Sequence, residues 1–250
     1  MVRIMDRRME IDGRPASPDA WHILDLSYGH FTAMQIRGGR TRGLDLHLAR
    51  LDAANREIFG QPLDPDLVRQ RIRHALGTQS DASVRVHVGE DAMAVTVRDP
   101  AGAATEPQRL RSVRYRRPLA HLKHHGGFAA EYHRRVAIRD GYDEIVLTGD
   151  DGTIAEGGIT NVGCWDGTSL VWPDAPHLAG ITMQVLQRGP LPSRYAPLRV
   201  ADLPDFAAVF VTNARGIVAV ERVDDVPLNA DEAFTKTLID SYNAAPWDEI

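Results

Sequence analysis

Two kinds of hydrophobic spacing alternate along this chain, and the mixture limits the folds that it can adopt. Apolar residues recur every three or four positions over 44–59 and again over 64–76, which places them on one face of a helix. Immediately afterwards, valines alternate with other residues on both sides of a turn at 89–91, as is typical of a β-hairpin. The spacing therefore predicts an α+β fold.

A change in pattern after Pro118 divides the chain into two parts. The first part, residues 1–117, is predicted to be a small α/β lobe that contains the helices and the hairpin. The second part, residues 118–250, is predicted to be a larger, β-rich lobe. Its predicted helices cover the second half of 121–140, then 180–188 and 231–243, and its predicted strands cover 144–148, 160–165, 169–172, 207–212 and 217–223.

Charge and composition exclude several classes of function. The 29 basic and 34 acidic residues give a net charge of −5, which argues against a general electrostatic grip on nucleic acid or anionic lipid. No apolar run is long enough to span a membrane, and the segment from Met1 to Arg14 is too charged for a secretory signal. The single cysteine, Cys164, cannot form an internal disulfide and fits a reducing, cytoplasmic environment.

Lysine is scarce in this chain, which narrows the search for an amine nucleophile. Only Lys123 and Lys236 are present, and the other basic residues are arginines. Lys236 lies in a predicted helix and is expected to point to solvent. Lys123 lies at the junction between the lobes, where it is either a solvated charge or an amine that burial or nearby cations keep neutral and reactive.

The histidine-rich run that includes His121, His124 and His125 does not predict a metal site. No acidic or cysteine partner stands at a spacing that metal ligands use. These histidines are therefore expected to pack or to form hydrogen bonds. Cys164, which lies in a predicted strand, is expected to be a small core residue.

A strand, an acidic turn and a second strand deliver one carboxylate, that of Glu156. Two glycines follow it at once, and Thr160 and Asn161 come shortly afterwards. A carboxylate beside flexible backbone and small hydrogen-bonding residues fits a binding site, but it also fits a simple turn.

Six segments in order resemble the class IV, or fold-type IV, pyridoxal-phosphate enzymes. This family includes branched-chain and D-amino-acid aminotransferases, R-selective amine transaminases and aminodeoxychorismate lyases. Each segment is weak evidence alone, but together they cover nearly the whole chain. They are Tyr28–Gly39, His47–Leu51, Lys123, Glu156–Asn161, Gly180–Thr182 and Val211–Val218.

The resemblance implies a two-lobed fold-type IV enzyme with its active site between the lobes and pyridoxal 5′-phosphate as cofactor. It implies that Lys123 forms the internal aldimine and transfers the proton, and that Glu156 pairs with the pyridine nitrogen. Arg50 would hold the phosphate, together with the start of a helix at Ile181 and Thr182. The remaining cofactor-binding positions would be Thr160, Asn161 and Asn213, and the substrate would contact Phe31, Ala33 and Ala214.

The chain departs from the family pattern on the first strand of the small lobe. His30, Phe31, Ala33 and Met34 stand where the family usually has an acid, a glycine, an aromatic residue and a glutamate. Phe128 stands where some members have a tyrosine. These changes predict a less polar pocket and weaken any assignment of a specific amino acid, but they leave the cofactor prediction intact.

The leading interpretation is an aminotransferase that moves an amino group between an amino acid or amine and a 2-keto acid. The alternative within the family is an aminodeoxychorismate lyase-type enzyme that releases pyruvate. An alternative of another class is a non-catalytic protein that binds the cofactor or a partner through a remodelled pocket. Family members are typically homodimers, which the resemblance implies here too.

Overall fold

The structure is a computed structural model that describes residues 10–11, 14–15 and 26–250. The sequence predicts no secretory signal because the segment from Met1 to Arg14 is charged. Most of that segment lies outside the described residues. Five α-helices are present in the described part of the chain: α1 (Leu44–Phe59), α2 (Pro65–Leu76), α3 (Phe128–Arg139), α4 (Ile181–Gln187) and α5 (Glu232–Asn243), with a 3-10 helix at Val200–Asp205.

The strands follow the predicted positions closely, with additional short ones. Their bounds are β1 (Glu10–Ile11), β2 (Arg14–Pro15), β3 (His30–Ile36), β4 (Arg40–Arg42), β5 (Ala82–Val88), β6 (Met93–Arg98), β7 (Gln108–Arg114), β8 (Glu144–Thr148), β9 (Ile154–Gly157), β10 (Asn161–Trp165), β11 (Leu170–Pro173), β12 (Ser193–Ala196), β13 (Ala208–Asn213), β14 (Gly216–Val223), β15 (Val226–Pro227) and β16 (Trp247–Glu249).

A three-stranded antiparallel sheet, in the order β3-β5-β6, forms the small lobe with helices α1 and α2. Alternate residues of β3 and β5 are buried, because one face of the sheet packs against the helices. Met34, Val84 and Val86 contribute to this core, together with Leu51 of α1 and Ile72 of α2. The odd-numbered residues of the same strands point to the opposite face, which is open.

A nine-stranded sheet forms the larger lobe, in the order β12-β11-β10-β13-β14-β7-β8-β9, with β15 paired to β14. Helix α3 packs against β8, and helix α5 packs against β13 and β14. Trp172, Phe210 and Leu238 fill one of its two main cores and are almost wholly buried. The larger lobe, rather than the sheet alone, holds all the residues that the family resemblance assigns to the cofactor except Arg50.

Two strands, β7 and β16, bear on where the chain divides into its two lobes. Strand β7 pairs in parallel with β8 and β14 and so belongs to the large sheet. Strand β16 returns to pair with β4, and Ile250 joins the core of the small lobe. The division between residues 117 and 118 stays a prediction. Because β7 belongs to the large sheet, we propose that the boundary between the lobes lies between Arg98 and Gln108.

Among the described residues, no helix is both long and apolar enough to cross a membrane. In the same part of the chain, no group of histidine, cysteine and acidic side chains is placed to hold a metal ion. Cys164 is fully buried in β10, and burial raises the pKa of its thiol. It is a core residue, as predicted.

Candidate active site

A cavity of about 890 Å³ lies between the open face of the small sheet and the ends of strands β9, β10, β13 and β14 of the large one. Both lobes contribute to its lining. All the residues that the sequence assigned to catalysis, cofactor or substrate line this one cavity: Lys123, Arg50, Glu156, Thr160, Asn161, Ile181, Thr182, Asn213, Phe31, Ala33 and Ala214.

Lys123 lies in the loop between β7 and α3, and the small lobe holds the backbone of this loop. The Phe31 amide donates a hydrogen bond to the Lys123 carbonyl (2.9 Å), and the His125 amide donates one to the Gly29 carbonyl (3.1 Å). These hydrogen bonds, at Lys123 itself and two residues after it, hold the backbone that carries its side chain. The Lys123 amine lies 4.8 Å from the centre of the Phe31 ring.

The environment of Lys123 favours a neutral amine. Burial is the main reason that the pKa of Lys123 falls to about 7. The positive charges of Arg50 and Arg117 contribute to this lowering, and the Glu156 carboxylate opposes it. Lys236, by contrast, lies on the surface of α5 and pairs with Asp240 at 2.5 Å, as its predicted exposure implies.

We expect Lys123 in the cofactor-free protein to react with an amine-directed reagent with a midpoint near pH 7. The neutral amine is the nucleophile, and its fraction rises as the pH passes upward through the lowered pKa. An unperturbed lysine would give a midpoint near pH ~10.4. Peptide mapping of protein labelled at a series of pH values, from about 5 to about 11, measures the labelled fraction of Lys123; the range runs roughly from ordinary carboxyl to ordinary lysine pKa values. In Lys123→Ala, the labelling step with its midpoint near pH 7 must be absent.

Glu156, on β9, has a buried partner that the sequence analysis missed. Arg117 donates from Nε to Glu156 Oε1 at 2.9 Å, and the two side chains are only 12% and 7% exposed. The other carboxylate oxygen accepts a hydrogen bond from the Leu178 amide at 3.2 Å. The carboxylate is therefore held in one orientation at the cavity wall.

Arg117 also organises the loop that carries Lys123. Its Nη1 donates to the Leu122 carbonyl at 2.7 Å, and its Nη2 donates to the Ala120 carbonyl. One guanidinium thus connects the carboxylate of Glu156 to the residue directly before Lys123. Arg117 directly precedes Pro118, at the predicted junction between the lobes. That position is the one hint in the sequence, because no motif distinguishes Arg117 from the other arginines.

Arg50, on α1, reaches the cavity without a carboxylate partner in the part of the chain that the structure describes. Its Nη2 donates to the hydroxyl of Thr32, which in turn bonds His47 Nδ1 at 2.7 Å. Its Nε atom is buried and has no hydrogen-bond partner there. Burial lowers the pKa of Arg50 to about 10, as expected for a buried cation that no anion balances.

Polar groups of the large lobe face the same region. Helix α4 begins at Ile181, so the backbone N–H groups of its first turn have no partner within the helix. Thr182 donates its hydroxyl to the Asn213 carbonyl at 2.7 Å, which ties this helix to the end of β13. The hydroxyls of Thr160 and Thr212 are buried, with no partner among the described residues.

Asn161 fixes the backbone before α4. Its side-chain amide donates to the Leu178 carbonyl at 2.7 Å. A side chain at Gly180 would lie 2.0 Å from Asn161 Oδ1, so only glycine allows this approach. Asn161 therefore positions the start of the helix. The direct cofactor contact predicted for Asn161 has no support in these contacts and stays a prediction.

The predicted substrate wall is a stack of rings rather than a smooth apolar surface. Phe31 stacks on His125 at 5.0 Å between ring centres, and His125 stacks on His87 at 5.0 Å. Burial is the main reason that the pKa of His87 falls to about 4, so the ring stays neutral. Ala33 follows on the same face of β3 and leaves space above the sheet.

Two details correct the expectation of a less polar pocket. Phe128 is not part of the cavity lining, because it begins α3 with 83% of its surface exposed. Arginines that the sequence analysis did not single out also line the cavity, among them Arg85, Arg98 and Arg215. The cavity is therefore more polar than the changes on β3 predict.

The chain belongs to the class IV amino-transferase family, whose model matches residues 29–223. This is a family of pyridoxal-phosphate enzymes, so the cofactor prediction is confirmed at the level of the family. No curated protein sequence matches the chain.

Solved structures confirm the predicted fold class. A hypothetical aminotransferase from Mycobacterium tuberculosis has a TM-score of 0.79 at 22% identity, covering 93% of this chain and 96% of the other. A Legionella pneumophila protein, provisionally assigned as a 4-amino-4-deoxychorismate lyase, has a TM-score of 0.79 at 19% identity, with 88% and 92% covered. The branched-chain aminotransferase of Thermoproteus uzoniensis has a TM-score of 0.76 at 18% identity, with 93% and 92% covered.

Proposed function

We propose that this protein is a pyridoxal-phosphate-dependent aminotransferase that acts on an amino acid or a related amine with a 2-keto acid as acceptor. One observation carries the proposal. The lowered-pKa amine of Lys123, the fixed carboxylate of Glu156 and the guanidinium of Arg50, which has no carboxylate partner among the described residues, line the same cavity. A reactive amine, an anion receptor and an acid are the groups that this cofactor requires.

The residues present fit the cofactor. Six buried side-chain polar atoms have no partner among the described residues, and three of them belong to residues that line the cavity, Arg50, Thr160 and Thr212. Buried polar groups seldom remain unsatisfied in a folded protein, so such atoms indicate a polar ligand. Arg50 and the first turn of α4 would hold the phosphate, which suits a guanidinium and free backbone N–H groups. A relative from Mycobacterium tuberculosis has been solved in a PLP-bound form.

Pyridoxal phosphate, when bound, supplies a carbonyl that condenses with amines and a ring that accepts electrons from a broken Cα–H bond. Lys123 would hold the proton that leaves the donor's Cα atom and return it, because its amine is uncharged over part of the neutral range. Glu156 would keep a protonated ring nitrogen in place, since Arg117 and the Leu178 amide already fix its carboxylate.

The ring of Phe31 and the small side chains of Ala33 and Ala214 would contact the substrate. Phe31 lies beside the Lys123 amine, and Ala33 and Ala214 line the cavity from opposite lobes. Asn213 would shape the loop that faces the substrate carboxylate, because its side chain accepts the Arg215 amide at 2.8 Å. The homodimer and the cytoplasmic location inferred from the sequence stay predictions.

A screen of amine donors against pyruvate and 2-oxoglutarate tests the proposal. We expect at least one donor to be converted to its keto product while an equal amount of the keto acid is converted to its amino acid. Pyruvate release from aminodeoxychorismate without any acceptor would replace this function by the lyase alternative. Cofactor binding with no product in either assay would favour the non-catalytic interpretation.

A further inference from the structure

Helices α1 and α4 belong to different lobes, and they touch at Gly43, the residue directly before α1. A Cβ atom added at Gly43 would lie 3.1 Å from Cγ2 of Val185 and 3.2 Å from Cγ2 of Ile181, both on α4. These distances are shorter than the separation of about 3.5–4.0 Å at which two carbon atoms attract each other best. The backbone of one lobe therefore packs directly on side chains of the other, which leaves no space for a side chain at position 43.

The backbone conformation at Gly43 also favours glycine. Its φ of 65° lies in the left-handed region, which most residues adopt at a cost but which asparagine tolerates. Gly60, at the other end of α1, has a similar φ of 71°, but a Cβ atom added there would have no neighbour within 4 Å. The two glycines share a conformation and differ in packing, so a comparison of them separates backbone strain from the contact with α4.

An exposed ion pair also joins α1 to α4, but it is the weaker connection. Arg188 Nη1 lies 2.8 Å from Asp45 Oδ2, and both side chains are exposed. Exposed pairs contribute little, because water screens the charges and two long side chains lose their freedom. The close contact at Gly43 therefore sets the distance between the two helices.

Each of these helices is connected to a polar group that lines the cavity. Arg50 lies about two helical turns after Gly43 on α1, and its buried Nε atom has no partner in the described part of the chain. Helix α4 is bonded to the end of β13, because Thr182 donates its hydroxyl to the Asn213 carbonyl at 2.7 Å. Thr212, the preceding residue of β13, has a buried hydroxyl that likewise has no partner among residues 26–250. A shift of α1 against α4 would move the guanidinium relative to this hydroxyl.

We propose that Gly43 is a positioning residue for the cofactor phosphate, because the missing side chain lets α1 approach α4 closely enough for Arg50 and Thr212 to bind the same phosphate. The inference rests on the proposed function, which assigns the phosphate to Arg50. Hydrogen bonds to phosphate have a narrow range of lengths, so donors on two lobes bind one phosphate only within a narrow range of separations. A side chain at position 43 would widen that separation.

Pyridoxal phosphate and pyridoxal test this role, because both carry the aldehyde that reacts with an amine and only the first carries the phosphate. Titration of the cofactor-free protein with each compound gives two dissociation constants. The constant for pyridoxal divided by that for pyridoxal phosphate measures the phosphate preference. We expect Gly43→Asn to lower this preference at least about tenfold, since a displacement of about 1 Å can cost on the order of a hundredfold.

Gly60→Asn is the matched control, because asparagine tolerates both left-handed positions and only Gly43 lies against the other lobe. It should leave the phosphate preference unchanged. Val185→Ala removes the atom nearest to position 43, so the double variant of Gly43→Asn with Val185→Ala should recover part of the lost preference. If circular dichroism shows that Gly43→Asn does not fold, Gly43→Ala and Gly60→Ala replace the asparagine pair.

An unchanged phosphate preference in the Gly43 variant, or an equal loss in the Gly43 and Gly60 variants, would overturn the role of Gly43. Equal weakening of pyridoxal and pyridoxal phosphate would also overturn it, because general damage to the fold affects both compounds. An unaltered protein that binds the two compounds equally would instead contradict the proposed function, and this inference with it, since Arg50 would then not bind the phosphate.

Discussion

Replacing Lys123 by alanine is expected to reduce amino-group transfer by at least about a thousandfold, the largest effect that we expect of any single substitution. Lys123 is the only lysine that lines the cavity, and the other lysine of the chain, Lys236, lies on the surface of α5. Its pKa is lowered to about 7, so part of the amine is uncharged near neutral pH, and the proposed function uses it both as a nucleophile and as a proton carrier. No neighbouring side chain combines these properties.

Lys236→Ala provides the control, since it removes the other lysine without touching the cavity. Each protein is incubated with pyridoxal phosphate, reduced with borohydride and mapped by mass spectrometry. The cofactor mass should appear on Lys123 in the unaltered protein and in Lys236→Ala, and it should be absent from Lys123→Ala. Transfer activity that persists in Lys123→Ala, or a cofactor mass on Lys236, would refute the assignment.

Replacing Arg117 by methionine is expected to lower the free energy of unfolding by roughly 3 kcal/mol. The substitution leaves the buried carboxylate of Glu156 without its ion-pair partner and removes the donors to two loop carbonyls. Taking away one member of a buried pair costs more than the pair contributes, because the remaining charge stays out of water. Substrate turnover should also fall, since the loop that carries Lys123 loses its anchor.

Urea unfolding of the cofactor-free protein measures this effect. Arg116→Met is a close control, because Arg116 and Asp151 form an exposed pair at 3.5 Å and its loss should cost less than about 1 kcal/mol. A double variant, Arg117→Met with Glu156→Gln, should recover part of the lost stability, because it also removes the buried, unpaired charge of the Glu156 carboxylate. Equal losses in Arg117→Met and Arg116→Met would show that the buried pair has no special role.

Local patterns were enough to predict most of the fold. The spacing of apolar residues gave helix α1 with its observed ends, and the valine alternation gave the hairpin of β5 and β6. These elements depend on residues close together in the sequence. Strand β16 was not predicted, because three residues with a partner some 200 positions away leave no periodic signal.

The site was predicted only where the family resemblance supplied a residue. The resemblance named Lys123, Glu156 and Arg50, which the structure brings to one cavity, and their roles there stay predictions. It did not provide the partners that determine their chemistry, since Arg117 and the Thr32–His47 pair become neighbours only in the folded chain. Their roles follow from burial and hydrogen bonding, which a sequence pattern does not contain.

The return of the last strand to β4 has a practical consequence for protein engineering. Asp248 accepts a hydrogen bond from the Leu44 amide at the beginning of α1, so the far end of the chain completes the first helix. The small lobe is thus built from two separate pieces of polypeptide. A chimera that exchanges this lobe with a relative needs two recombination points, one before β7 and one after α5, since a single crossover would combine strands from different parents.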